Sequence, residues 1–155
     1  MKELLVGVIS DTHGLLRPAA LQALRGCELI LHAGDVGKLE VLEELRTVAP
    51  VMAVRGNIDR EPWNEDLPLT RIVQAGDLFV YMLHSLHEID IDPAGGGFSA
   101  VISGHSHQAS VKERGGVLYL NPGSAGPRRF SLPASLALLH VRGHALQAEI
   151  VALEE

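Results

Sequence analysis

LLVGVISDTHG, residues 4–14, begins as a continuous apolar run and stops abruptly at a polar segment that ends in glycine. An unbroken apolar run of this length is what a strand buried on both faces shows, and such strands belong to parallel sheets covered by helices. The following segment agrees. Arg17 to Leu24 places apolar residues at helical spacing, with Pro18 near the start where proline is tolerated. ELILHAGD from Glu28 then reads as a second strand, KLEVLEELRTV from Lys38 as a second amphipathic helix, and PVMAVRGN from Pro50 as a third strand. A β-α-β-α-β order predicts a parallel sheet with its chemistry in the loops beyond the carboxyl ends of the strands.

The second half changes character. TRIVQAGDLFVYML reads as two strands joined at AGD, VKERGGVLYL as two more around GG, and LALLHVRGHALQAEIVAL as a third hairpin around RG. IDPAGGGFS, residues 91–99, is a glycine-rich loop that could lead into a short helix. With no internal repeat and no linker, residues 1–155 are expected to form one layered α/β domain. Two mixed sheets would pack face to face with helices outside.

Composition narrows the function. The 155 residues are 46% hydrophobic, enough for one substantial core. Lys and Arg number 13 against 19 Asp and Glu, a formal charge of −6, and the basic residues are scattered, which argues against binding duplex nucleic acid. Cys27 is the only cysteine, so neither an internal disulfide nor a thiolate pair for structural zinc is available; a packed thiol in a reducing compartment is expected. No signal peptide and no membrane-length apolar stretch is present, so a cytoplasmic location is expected.

The strand ends collect the chemistry. Asp11 and His13 follow the first strand, Asp35 the second, Asn57 the third, His84 the YML strand, and His105 and His107 the AVISG segment. Seven O and N donors of imidazole, carboxylate and amide type suit Mn, Fe, Zn or Co, and exceed what one tetrahedral ion needs. Two ions sharing a bridging carboxylate is the reading they suggest. Single motifs carry little weight: Gly76 and Asp77 also spell GD but fall in a hairpin turn, where both are ordinary. GHSH is rarer, at about 0.04 chance occurrences in a chain of this composition. Taken singly, Asp11 could cap a helix and Asn57 could make an Asx turn. His140 and His144, flanking the last hairpin turn, are expected to be surface residues, and His32 to pack behind the site.

SDTHG, HAGD, RGNID, a later LHS and SGHSH, in that order over nearly the whole chain, resemble the calcineurin-like metallophosphoesterases. The length and the NPGS at 121–124 are most similar to their small bacterial and archaeal phosphodiesterase branch. The resemblance implies a four-layer α/β/β/α sandwich and a hydrolase that cleaves a small phosphate ester by attack of a hydroxide held between two divalent metal ions. Mn is the expected metal, with Fe, Zn, Co or Ni as alternatives. It implies that Asp11, His13 and His107 hold one ion, that Asn57, His84 and His105 hold the other, and that Asp35 bridges; Asn57 is also a candidate phosphate contact. On an extended segment residues two apart point the same way, which would let His105 and His107 each reach one ion.

Three departures stand out. Ile58 occupies the position after GN where much of the superfamily has histidine, so proton donation to the leaving group has no evident source. His84 is followed by Ser85 rather than glycine, with His87 as an alternative ligand. AGPRRF follows NPGS, and Arg128 reads as a solvated loop charge. The competing readings are a scaffold, as in the retromer subunit that resembles a decayed phosphoesterase, and a phosphomonoesterase or nucleotide hydrolase using the same metals. Exposed hairpin edges could also pair two copies.

Overall fold

The structure is a computed structural model that describes residues 3–59, 67–128 and 131–153. Among the described residues, ten strands form two five-stranded sheets, in the orders β10-β9-β1-β2-β3 and β4-β5-β6-β8-β7. In the first, β1 (Glu3–Ile9), β2 (Leu29–His32) and β3 (Val51–Ala53) run parallel, and β9 (Ser135–Arg142) and β10 (Ala145–Ala152) continue antiparallel beside β1. In the second, β5 (Leu78–Leu83), β6 (Ala100–Ile102) and β8 (Val117–Asn121) are parallel, flanked antiparallel by β4 (Thr70–Ala75) and β7 (Ser110–Arg114). Both sheets are therefore mixed; the three hairpins read from the sequence are antiparallel pairs, and β1–β9 is a fourth.

Strand alternation divides the apolar residues between layers. Val6, Val8 and Leu31 of the first sheet meet Val80, Met82, Ile102 and Leu120 of the second in the central core. On the opposite face, Ile9 and Ile30 pack under α1 (Pro18–Ala23) and α2 (Leu39–Arg46) through Ala20, Leu24, Val41, Leu42 and Leu45. α1 starts on Pro18, and α2 has Glu40 in its first turn and Arg46 in its last, each sign suited to the helix dipole. Cys27 is buried in this layer, and burial pushes its thiol up to about 11, consistent with a packing role.

The two mixed sheets form the expected α/β sandwich, with the outer face of the second sheet covered mainly by a loop. Tyr81, Leu83 and Val101 are covered by a single 3₁₀ turn, Leu86–Glu88, and by Ile89, Ile91 and Phe98 of the loop that follows; among the described residues no α-helix lies there. IDPAGGGFS accordingly stays a loop, and the short helical turn precedes it. Its glycines and Pro93 oppose regular structure.

Parallel register fixes the site. Ile9 pairs with His32 and His32 with Ala53, so three strands of the first sheet end side by side. Met82 pairs with Ile102 and Ile102 with Leu120, so those of the second do the same. The loops carrying Asp11, Asp35, Asn57, His84 and the GHSH segment thus leave one common edge of the sandwich. No helix among the described residues is long and apolar enough to cross a membrane.

Candidate metal centre

Asp11 and Asp35 lie at the middle of the cluster, each held by one carboxylate oxygen and presenting the other. Asp11 Oδ2 accepts from Ser10 Oγ at 2.6 Å and from the His105 amide at 3.1 Å, while its Oδ1 lies 3.8, 3.9 and 3.4 Å from Nε2 of His13, His84 and His107. Asp35 Oδ1 accepts from the Ile58 amide at 3.0 Å, and its Oδ2 lies 3.8 Å from His13 Nε2 and 3.2 Å from His84 Nε2. Asp11, His13 and His107 can converge on one cation, and Asp11, Asp35 and His84 on another. The rings of His13 and His107 stack at 5.3 Å, and those of His84 and His105 meet edge-on at 5.3 Å.

The fit to metal rests on atoms left without hydrogen bonds. Asp11 Oδ1, His13 Nε2 and His84 Nε2 are buried and make none. Leaving one such group unsatisfied costs about 1–3 kcal/mol, so three pointing at one another call for a shared partner. His84 specifies its kind. Its Nδ1 lies 2.7 Å from the Ala33 carbonyl and must donate there, so in the neutral ring Nε2 carries a lone pair aimed at two carboxylates. Only a proton or a cation relieves that repulsion, and a backbone carbonyl behind the ring is the usual support of a metal-binding histidine. Without metal the proton serves: burial pulls the His84 pKa down, but the Asp35 carboxylate and the Ala33 carbonyl outweigh it and raise it. For Asp35 burial acts upward, and the neighbouring His84, the Ile58 amide and His13 outweigh it, holding the carboxyl well below the ordinary range.

The backbone is bent to make this arrangement. Asp11, His13, Asp35, His105 and His107 all have positive φ, between 48 and 73°, and no other non-glycine residue among those described does. Such conformations cost of order 1–3 kcal/mol each and are held by their surroundings. Here the loops brace one another: the Asp11 amide donates to the Gly34 carbonyl, that of His13 to Asp35, and that of Gly104 to His84. This corrects the extended reading of GHSH. His105 and His107 reach the cluster through their own left-handed backbone conformations rather than through strand alternation. Two glycines allow the close approach: a Cβ on Gly104 would collide with Ser10 Oγ and Asp11 Oδ2, and one on Gly56 with the Asp35 amide and carboxylate.

Of the seven residues picked from the sequence, Asp11, Asp35, His84 and His107 are buried, His13 is half-buried beside them, and Asn57 and His105 form the exposed rim, with Asn57 Nδ2 3.3 Å from His105 Nδ1. His84 rather than His87 enters the cluster; His87 sits exposed on the 3₁₀ turn. His32 is fully buried behind it, as expected. Its Nδ1 accepts from the Gly34 amide, so its Nε2–H donates to Thr12 Oγ1, whose hydroxyl donates in turn to the Val36 carbonyl. His140 bonds Glu3 on the surface, His144 lies exposed in the last hairpin turn, Gly76 and Asp77 form the β4–β5 turn, and Arg128 is exposed. Arg129 and Phe130 of AGPRRF lie outside the described residues.

The sequence reading missed the braces. Asp59 accepts from the amides of Val36, Gly37 and Gly56, tying the loop after β2 to the loop after β3. Asn121 donates to the Gly104 carbonyl and to Ser106 Oγ, and Ser124 to the Asp11 carbonyl, so NPGS clamps two ligand loops. The only sequence signal for Asp59 was an aspartate two residues after Gly56-Asn57. For NPGS none pointed to its partners.

Comparison with known proteins agrees with this geometry. The model of the calcineurin-like phosphoesterase superfamily domain matches residues 4–144, and the chain belongs to that family. Its relatives include a protein of Methanothermobacter thermautotrophicus named as a probable metallophosphoesterase, 36% identical over 96% of this chain and 92% of the relative. A phosphodiesterase of Methanocaldococcus jannaschii is 31% identical over 76% of this chain and 82% of its own length. Among solved structures, Chaetomium thermophilum Vps29 superposes with a TM-score of 0.79, covering 97% of this chain and 100% of that one at 20% identity, a likeness of fold. The protein is a metallophosphoesterase-family hydrolase fold carrying candidate metal-binding residues.

Proposed function

We propose that the protein is a phosphodiesterase that works with two divalent cations, Mn foremost. Asp11, His13 and His107 hold one, Asn57, His84 and His105 the other, and Asp35 is shared. The observation that carries this reading is the set of buried, inward-facing Asp11 Oδ1, His13 Nε2 and His84 Nε2 atoms without hydrogen bonds. When bound, such an ion pair supplies a hydroxide nucleophile at neutral pH and neutralises charge building on the phosphoryl oxygens. The chain's own residues then place the substrate: Asn57, exposed on the rim, offers an amide N–H to a phosphoryl oxygen, and the braced loops keep the ligands from relaxing. The scaffold reading is weaker because every one of the seven positions keeps a ligand-type side chain.

Ile58 shapes the substrate range. It is 45% exposed beside the cluster and offers only its amide, already given to Asp35, so the side chain donates no proton to a leaving alkoxide. General acids contribute typically 10²–10⁴-fold, hence esters with acidic leaving groups are favoured. Assays with Mn on aryl phosphodiesters of graded leaving-group acidity, and on an aryl phosphomonoester, should show chelator-sensitive diester cleavage that slows steeply as the leaving group becomes more basic. No chelator-sensitive hydrolysis would favour the scaffold, and a preference for the monoester would shift the substrate class.

A further inference from the structure

The outer face of the second sheet carries a groove that the metal centre does not explain. Among the described residues no α-helix covers that face; the surface of the β7–β8 hairpin is open beside the 3₁₀ turn, and a cleft of about 360 Å³ lies there. One end is His105, on the rim of the metal centre; Ser85 and His87 form one wall, and Lys112, Arg114 and Tyr119 line the hairpin side. Lys112 and Arg114 share a face because strand residues two apart do, and Lys112 is paired across the ladder with Tyr119. The guanidinium of Arg114 stands over the Tyr119 ring, 5.7 Å from its centroid, so both contribute to the same side of the groove.

Its charge is opposite to that of the molecule. The chain has 19 acidic against 13 basic residues, yet no carboxylate lines the cleft, and both full cations are exposed without a carboxylate partner among the described residues. The groove is also continuous with the chemistry. Ser110 is paired with Asn121, whose amide holds the Gly104 carbonyl, so at ~3.4 Å per residue Lys112 lies roughly 7 Å and Arg114 roughly 14 Å along the strand from the GHSH loop. A neutral diester arm gives these cations nothing to pair with.

We propose that this groove binds a second anionic group, carried on one arm of a phosphodiester whose reacting phosphate sits at the Asp11 and Asp35 cluster. Lys112 and Arg114 determine specificity for that group. The proposal rests on the phosphodiesterase reading. It is tested with two esters that share a leaving group, the p-nitrophenyl ester of thymidine 5′-phosphate and its 3′-phosphorylated counterpart. The ratio of their kcat/KM values should be roughly tenfold in favour of the bisphosphate, the yield of two exposed charge contacts, and should fall to about one in Lys112→Gln/Arg114→Gln. Calorimetric affinities of the Mn-loaded protein for thymidine 3′,5′-bisphosphate and thymidine 5′-monophosphate should show the same ratio and the same collapse. A ratio near one in the wild type, or one that survives the double substitution, would overturn the proposal. If neither ester is hydrolysed while the affinity ratio behaves as stated, the subsite stands and the phosphodiesterase reading fails.

Discussion

Asp35→Asn should lower kcat/KM on an aryl phosphodiester about 1000-fold while leaving the protein folded. The substitution keeps the shape, and the asparagine oxygen can still accept from the Ile58 amide at the 3.0 Å position of Oδ1. What it changes is the atom facing His13 and His84, at 3.8 and 3.2 Å: an anionic oxygen becomes an N–H₂ donor that repels any cation held there. A 1000-fold loss corresponds to about 4 kcal/mol of transition-state stabilisation, the scale expected for charge neutralisation by bound metal. Kinetics over a wide Mn range, with thermal unfolding as the fold control, checks this. A loss of less than about threefold would mean that Asp35 holds nothing of consequence.

The second large effect concerns acid. His32 is fully buried, and burial dominates its titration, pulling its pKa down to about 4 although Asp59 and Asp35 act upward. An unfolded histidine titrates near 6.5, so between about pH 6.5 and 4 the unfolded chain takes up a proton that the folded one refuses, and stability falls as pH falls. Between pH 7 and pH 4 this amounts to about 3 kcal/mol. Asp35, held low in the fold, acts in the same direction at lower pH, and His84, held high, acts in the opposite one. The contribution of His32 is therefore isolated by difference. His32→Gln, whose amide can still serve Gly34 and Thr12, removes the titrating group, so in chelator-treated protein the wild type should lose about 3 kcal/mol more than the variant over this range. Parallel stability profiles of the two proteins would show that the His32 ring is charged in the folded state.

These two residues also show what was legible in the sequence. The strands were readable because runs such as LLVGVI are buried on both faces, and the hairpins because AGD, GG and RG interrupt alternating strands. Asp35 was separable from Asp77, though both follow glycine, because one ends a strand ahead of a helix and the other turns a hairpin. The 3₁₀ turn on the outer face of the second sheet was not legible, since a turn of three residues leaves no periodic signature. Nor was the route by which His105 and His107 reach the site. Spacing two apart suggested a strand, whereas both residues have positive φ in a loop tied to distant parts of the chain: the His105 amide donates to Asp11, and Asn121 donates to the Gly104 carbonyl. Braces such as Asp59 and Ser124 escape for the same reason: their partners are chosen by tertiary structure, 23 and 113 residues away for the Val36 amide and the Asp11 carbonyl.

The most direct test of the central claim is an anomalous difference map from crystals of the protein grown with Mn and collected at the Mn absorption edge. Two peaks about 3.5–4 Å apart are predicted, one beside Asp11, His13 and His107 and the other beside His84, with Asp35 between them. A single peak, or none within reach of Asp35, would contradict the two-cation account.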